Sequence, residues 1–286
     1  DWYDAADLYR AWTLRQHWAT PLTDRDDIPR WLLESPPHIT IRLQGYVDAG
    51  PAPPISEFLP YEKCIPLLEQ VAAGVQSPLV AVLMSWERGG PWVYPDCFPP
   101  VGGDESLTNF CRLARDRGWH VGSFCNGTRW VMKHLFNDCD GTAFFHEHHG
   151  EQGLCLQPSG EWWHENWDQN WRPSYITCMA QSQTRQLARD FVRRLIGWGM
   201  ESIQFFDQNC NASTFPCFSD AHGHPRLPGK WMAQAMADMI GDFHVAAAEA
   251  GEAEVIHSTE WPTNEFCLPL FQQSDVRISV PSSGDA

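Results

Sequence analysis

The sequence is short of positive charge. Lysine and arginine number 20 against 36 acidic residues, a formal charge of −16. That balance argues against a surface for nucleic-acid backbones or anionic membranes and leaves neutral substrates open. No run of 18 apolar residues occurs, so no membrane span is expected. Neither G-x-G-x-x-G nor G-x-x-x-x-G-K-[ST] follows any apolar run, which removes the usual sequence support for a nucleotide site. H-E-x-x-H is also missing, and the ten cysteines form no C-x-x-C pair. Cys210 and Cys217 are the two close enough in sequence to bridge across one loop. The chain starts Asp1-Trp2-Tyr3, with no signal-peptide pattern. It reads as an excerpt of a longer product, with a lean to a secreted or periplasmic setting.

What is present is length, apolar content and indole. The 286 residues suit one large barrel, and 43% apolar residues supply a core. Fifteen tryptophans exceed what a core needs. Indoles fill interiors, but they also make flat, rigid platforms with one polar edge, suited to the C–H faces of sugar rings.

Short apolar runs alternate with helical patterns. Strands are expected at 38–47, 78–87, 120–127, 174–180, 202–209 and 253–260, with a seventh beginning near 274. Helices are expected at 60–75, 104–119, 182–199 and 229–251, from proline starts, acidic first turns, apolar spacing and glycine stops. Strand–helix alternation implies a parallel sheet with helices outside. Long, polar, tryptophan-rich loops after the strands favour a (β/α)8 TIM-type barrel, complete or short of a strand, over an open doubly wound sheet. Residues 1–286 are expected to form one catalytic barrel domain, with the polar stretch 137–173 inserted as a lid.

In a parallel barrel every C-terminal strand end opens on one face. The segments expected there carry Trp86, Glu87, Trp92, Tyr94 and Asp96; then Asn126, Arg129 and Trp130; then Asp168, Trp171 and Arg172; then Asp207; and finally Glu260 and Glu265. Acids, amides and indoles in one mouth suit a carbohydrate. Glycoside cleavage needs one ionised and one protonated carboxyl across the scissile bond. Asp207 and Glu260 end consecutive expected strands. Neighbouring strands about 4.8 Å apart bring such side chains within roughly 5–7 Å, which favours a retaining mechanism. Asp207 is then nucleophile or charge stabiliser and Glu260 general acid/base, with Glu265 and Glu87 as rival acids. Gln204, Gln208, Asn209, Asn126, Arg172, His222 and His224 are candidate partners of sugar hydroxyls. Trp86, Trp92, Trp130, Trp171 and Trp231 are candidate platforms.

Several longer segments have a familiar form. "WERGGPWVYPDCFPPVGG", "FCNGTRW", "WRPSY", "FFDQN", "FPCF", "HGHPRLPGKWM" and "STEWPTNEF" together resemble the DUF6259 group of bacterial proteins, from about residue 5 to about 275. The resemblance implies a TIM-barrel core, a β-sandwich domain beside it in the full-length protein, and carbohydrate hydrolysis by analogy. Carried over position by position, its acidic motifs fall on Asp207 and Glu260, with Trp261 where a smaller residue is expected.

The sequence thus points to a glycoside hydrolase acting on an oligo- or polysaccharide, needing no cofactor and no metal. Two rival readings remain. One is a non-catalytic carbohydrate-binding barrel. The other is a metal-dependent hydrolase, in which His222 and His224 join Asp207 around an ion.

Overall fold

A computed structural model gives the structure of the protein and describes residues 1–16, 18–164, 169–207, 215–252, 254–260 and 265–275. Helix α1 (Trp2–Thr13) and the short α2 (Arg30–Leu33) lead into strand β1 (His38–Arg42). Then come α3 (Cys64–Val75), β2 (Val80–Met84), α4 (Asp104–Arg115) and β3 (His120–Phe124). The chain next leaves the main sheet for β4 (Arg129–Val131), β5 (Lys133–His134), β6 (Cys139–Asp140), α5 (Thr142–Glu147) and β7 (Ser174–Ile176). It returns through α6 (Ser182–Trp198), β8 (Ser202–Phe206), α7 (Lys230–Glu249), β9 (Ile256–Glu260) and β10 (Gln273–Asp275).

Six strands form one parallel sheet in the order β1-β2-β3-β8-β9-β10. Each strand lies beside the next sheet strand in the chain, as a helix-covered sheet that curls toward a barrel requires. The runs are short, apolar and β-branched, such as Val80-Ala81-Val82-Leu83-Met84, because both faces are covered. On the helix side, Ala81, Leu83, Val121, Ile203 and Phe205 pack against Leu68 of α3, Phe110 of α4, Phe191 of α6 and Phe243 of α7. On the concave side, Trp31 of α2 closes the base against Val80 and Ile256, stacks on His120 at 4.2 Å and donates Nε1–H to the Glu254 carbonyl at 3.3 Å. Val82, Met84, Phe124, Trp92 and Trp171 fill the upper half.

Helix ends follow their sequence signals. Asp104 and Glu105 sit in the first turn of α4, and Arg112 and Arg115 in its last, in keeping with the helix dipole. Gly199 ends α6 in the left-handed conformation, its N–H bonding to the Leu195 and Ile196 carbonyls. Among the described residues no helix is long and apolar enough to cross a membrane.

Two expectations about the sheet need correction. The stretch 174–180 is not a barrel strand, since β7 pairs antiparallel with β4. Residues 139–160 add no strand to this sheet either, since β6 only closes a two-residue hairpin with β5. A complete (β/α)8 closure is not formed among the described residues. The edge strands approach each other, for Asp275 on β10 exerts its charge on His38 of β1, but no hydrogen-bonded ladder joins them there. The fold is a curled parallel half-barrel. The expected seventh strand is present as Gln273–Asp275, and the rest of that stretch lies outside the described residues.

Gly122 sets how closely β3 and β8 can lie. A Cβ there would stand 2.6 Å from the Ser202 carbonyl oxygen and 2.8 Å from its Cβ. Gly122→Ala is therefore expected to push the two strands apart and to lower stability by about 1–3 kcal/mol, measured by denaturant unfolding.

Candidate active site

Strand β8 ends with a shift of register. Gln204 pairs with Ser258, but Phe206 rather than Phe205 pairs with Thr259. The extra residue lets both Phe205 and Phe206 enter the helix-side core, Phe205 against Tyr94, Phe191 and Phe243, and Phe206 against Phe243 and Phe271. It also resets the alternation, as a β-bulge does, so that Asp207 meets Glu260 at the tip of β9. The two carboxyls lie close enough for Glu260 to act on the ionisation of Asp207.

Glu260 has no exposed surface, and Asp207 beside it is half-buried. Burial raises the pKa of Asp207, and the neighbouring Glu260 carboxyl raises it further. Arg172 and Arg129 oppose that rise. Two buried carboxyls in contact cannot both ionise, so the pair retains one proton at neutral pH. Both arginines are themselves buried. Arg129 donates to Thr128 Oγ1 at 3.2 Å and lies over the Phe215 ring at 5.7 Å. Arg172 donates to the Trp92 carbonyl at 3.1 Å and lies over Trp171 at 5.6 Å.

Arg172 also faces Glu87, the acid beyond β2. Burial pushes the Glu87 carboxyl up to about 8, with backbone donors and Arg172 working against it. The loop that carries Glu87 is fixed by Gln44, which donates to the Ser85 and Glu87 carbonyls at 2.9 and 2.7 Å. His134 completes the surroundings. It packs edge-on against Trp171 at 5.1 Å, and burial, then Arg172, pulls its pKa down to about 4, so the ring is neutral. Gln204 sits on β8 one residue before the bulge, buried, with its Nε2 donor lacking a protein partner.

The structure therefore gathers Asp207, Glu260, Glu87, Arg172, Trp92, Trp171 and Gln204 at one end of the sheet. Asn126 is buried in the loop beyond β3, whose Cys125 and Gly127 N–H groups bond to the Gln204 and Phe205 carbonyls of β8. Trp92 and Trp171 are not open platforms. Their faces are taken by Phe124, His134 and Phe136, and they roof the concave side.

Other candidates are placed elsewhere, for reasons of packing or charge. Trp86 and Tyr94 belong to the helix-side core, beside Phe98, Phe191, Trp198 and Phe205. Trp130 packs edge-on against Phe145 at 5.3 Å, in a separate small core. Asp96 pairs with Arg88, and Glu265 is exposed and accepts from Tyr9 at 2.6 Å. His222, His224 and Trp231 form another cluster, together with Cys178 and Cys217. Asp207 is not one of that cluster's ligand groups. Cys217 is a free thiol. Gln208 and Asn209, like Asp168, Cys210 and Trp261, lie outside the described residues.

Sequence reasoning placed Arg129 among the segments beyond the strands but gave it no role. It left out Gln44 and His134 near the carboxyls and Cys178 in the thiol–imidazole cluster, and nothing in the sequence distinguished those three.

A family model described as "Domain of unknown function (DUF6259)" matches residues 1–279. No curated protein matches the chain by sequence. Among solved structures, the ligand-free α-N-acetylgalactosaminidase NagBb from Bifidobacterium bifidum is similar, with a TM-score of 0.70 at 12% identity, over 95% of this chain and 43% of that one. The α-galactosidase TtGalA from Thermus thermophilus, in complex with stachyose, gives 0.52 at 17% identity, over 84% of this chain and 43% of that one. A GH31 family sulfoquinovosidase from E. rectale gives 0.52 at 11%, over 81% and 31%. The chain spans less than half the length of each of these three proteins. The likenesses are to glycoside hydrolases, and at such identities they concern the fold.

Glu87 supplies a test of the buried charge. Its folded pKa of about 8 exceeds the ordinary value of 4.5. The fold thus favours the neutral acid, and that contribution is full below about pH 4.5 and lost as pH rises through about 8. Thermal unfolding scans from about pH 5 to about pH 9 should show a falling melting temperature. Glu87→Gln should flatten that fall in part, leaving the slope due to Asp207.

Proposed function

The chain belongs to the DUF6259 family, and we propose that it is the catalytic core of a glycoside hydrolase that cleaves an oligo- or polysaccharide with Asp207 and Glu260. The observation that carries this reading is the pair of neighbouring carboxyls at the tips of adjacent parallel strands, faced by two buried arginines. A single shared proton gives the pair one acid and one base. As a sugar enters, the arginines favour negative charge on Asp207, so the proton passes to Glu260 before the two carboxyls part. Asp207 then attacks the anomeric carbon or steadies the oxocarbenium-like transition state. Glu260 protonates the leaving oxygen and afterwards takes a proton from water, as in a retaining mechanism. Glu87 and Arg172 orient the sugar hydroxyls beneath Trp92 and Trp171, and Gln204 offers its unpartnered amide donor. The fold-level likeness to two α-galactoside-type hydrolases and a sulfoquinovosidase makes α-linked galactose-type sugars the first substrates to try, an argument by analogy. In the full-length protein a β-sandwich domain beside the barrel, and segment 137–173 as a lid, fit the same reading.

The enclosure of Glu260 favours one second reading. A fully buried acid suits a barrel that binds carbohydrate without cutting it, the carboxyls serving only to balance Arg129 and Arg172.

The full-length protein assayed on a panel of aryl α-glycosides and natural oligosaccharides separates the two. The hydrolytic reading expects turnover that falls by at least about 10²–10⁴-fold in Asp207→Asn, with the fold retained by circular dichroism. Sugar binding by calorimetry without turnover by the wild type gives the case to the second reading, and full turnover in the variant overturns the assignment of Asp207.

A further inference from the structure

Away from the carboxyl pair, four soft ligands converge. Cys178 follows β7, while Cys217, His222 and His224 lie between β8 and α7. Their ligating atoms all lie within 4.8 Å of one another. Cys178 Sγ is 3.4 Å from His224 Nε2, and Cys217 Sγ is 3.3 Å from His222 Nδ1. Around tetrahedral zinc, bonds of about 2.3 Å to sulfur and 2.0–2.1 Å to nitrogen set neighbouring S and N atoms about 3.5 Å apart. The two measured edges are close to that spacing.

The surroundings are arranged as ligands require. His224 Nδ1 lies 2.9 Å from the Pro225 carbonyl, to which it donates, and this leaves the Nε2 lone pair directed at Cys178. Trp231 stacks on the same imidazole at 3.8 Å and 6°, which fixes the plane of the ring. The Leu156 N–H points to Cys217 Sγ at 3.5 Å, a donor placed to steady a thiolate. Cys178 and Cys217 are free thiols, and both are buried, as is His222. Cys155 touches both thiols but is not in the four-ligand set. Ordinary packing has no use for two thiols and two imidazoles directed at one point.

We propose that Cys178, Cys217, His222 and His224 bind a structural Zn²⁺ ion. Two thiolates with two imidazoles in a tetrahedron select zinc over the hard cations, which prefer oxygen ligands. Four protein ligands leave no open position for a water, so the ion holds structure rather than activating a nucleophile. What it holds is specific. Cys178 belongs to the stretch between β3 and α6 that supplies Arg129 and Arg172. Cys217 lies ten residues beyond Asp207, on the connection from β8 to α7. The ion therefore ties the source of the buried cations to the strand connection that carries the buried acid.

The test uses the whole chain, expressed in zinc-supplemented medium, freed of any histidine tag and dialysed. Elemental analysis should find about one zinc per chain, and Cys217→Ser and His224→Gln should reduce it to about a tenth or less. Replacement by Co²⁺ should give a thiolate-to-cobalt charge-transfer band together with tetrahedral d–d bands, and a chelator should lower the melting temperature. Should the cysteine variants fail to fold, His222→Gln, which keeps both thiols, and Cys155→Ala, which is expected to keep the metal, decide the matter. Wild-type protein that retains no zinc and gives no thiolate–cobalt band overturns the proposal. So does a disulfide joining Cys178 or Cys217 to Cys155 in the native protein. Metal lost from Cys155→Ala but kept in His222→Gln overturns this ligand set.

Discussion

The site depends on the contact between two carboxyls held at the tips of adjacent parallel strands. Asp207 and Glu260 meet because a bulge in β8 turns an aspartate, rather than a second phenylalanine, toward the tip of β9. Burial and mutual repulsion would expel such a pair if nothing opposed them. Arg129 and Arg172 provide the opposition, and both depend on further structure to stay in place. Arg172 is held by the Trp92 carbonyl and the Trp171 face, and Arg129 by Thr128 and the Phe215 face. The roof of Trp92 and Trp171 over Phe124 then excludes the water that would otherwise screen these charges.

The scaffold was legible because its signals are local. Apolar runs at 80–84, 120–124, 202–206 and 256–260, and capped helices at 104–115 and 182–198, declare themselves over five to seventeen residues. The strand-end acids were legible for the same reason, since an acid that directly follows a buried parallel strand has one place to go. The antiparallel pairing of β7 with β4 was not legible. The run Ser174-Tyr175-Ile176 has the composition of any strand, and its partner is set by the small core of Trp130, Phe145 and Leu154 rather than by anything in its own residues. The tryptophans were misplaced in the same way. Composition tells that indoles are abundant, but whether Trp86 faces the helices or the mouth depends on a single residue of strand register.

The thiol–imidazole cluster marks the limit of such reading. His222 and His224 declare themselves as a pair, yet their partner Cys178 lies 44 residues earlier in the chain, a separation that matches no spacing rule. Only the return of the excursion through β4 to β7 brings it near. Long-range convergence of this kind follows from the whole topology, and periodicity carries no trace of it.

The two signs of charge in the site come from different parts of the chain. The carboxyls stand on the sheet, while both guanidiniums arrive on the excursion between β3 and α6. The acidity of the pair is therefore an assembled property, absent from a chain whose sheet has formed but whose excursion has not docked. The arrangement also divides the labour of divergence. A lineage that exchanges the excursion can retune the field on a fixed pair of acids, and so change what the barrel does, without altering a strand.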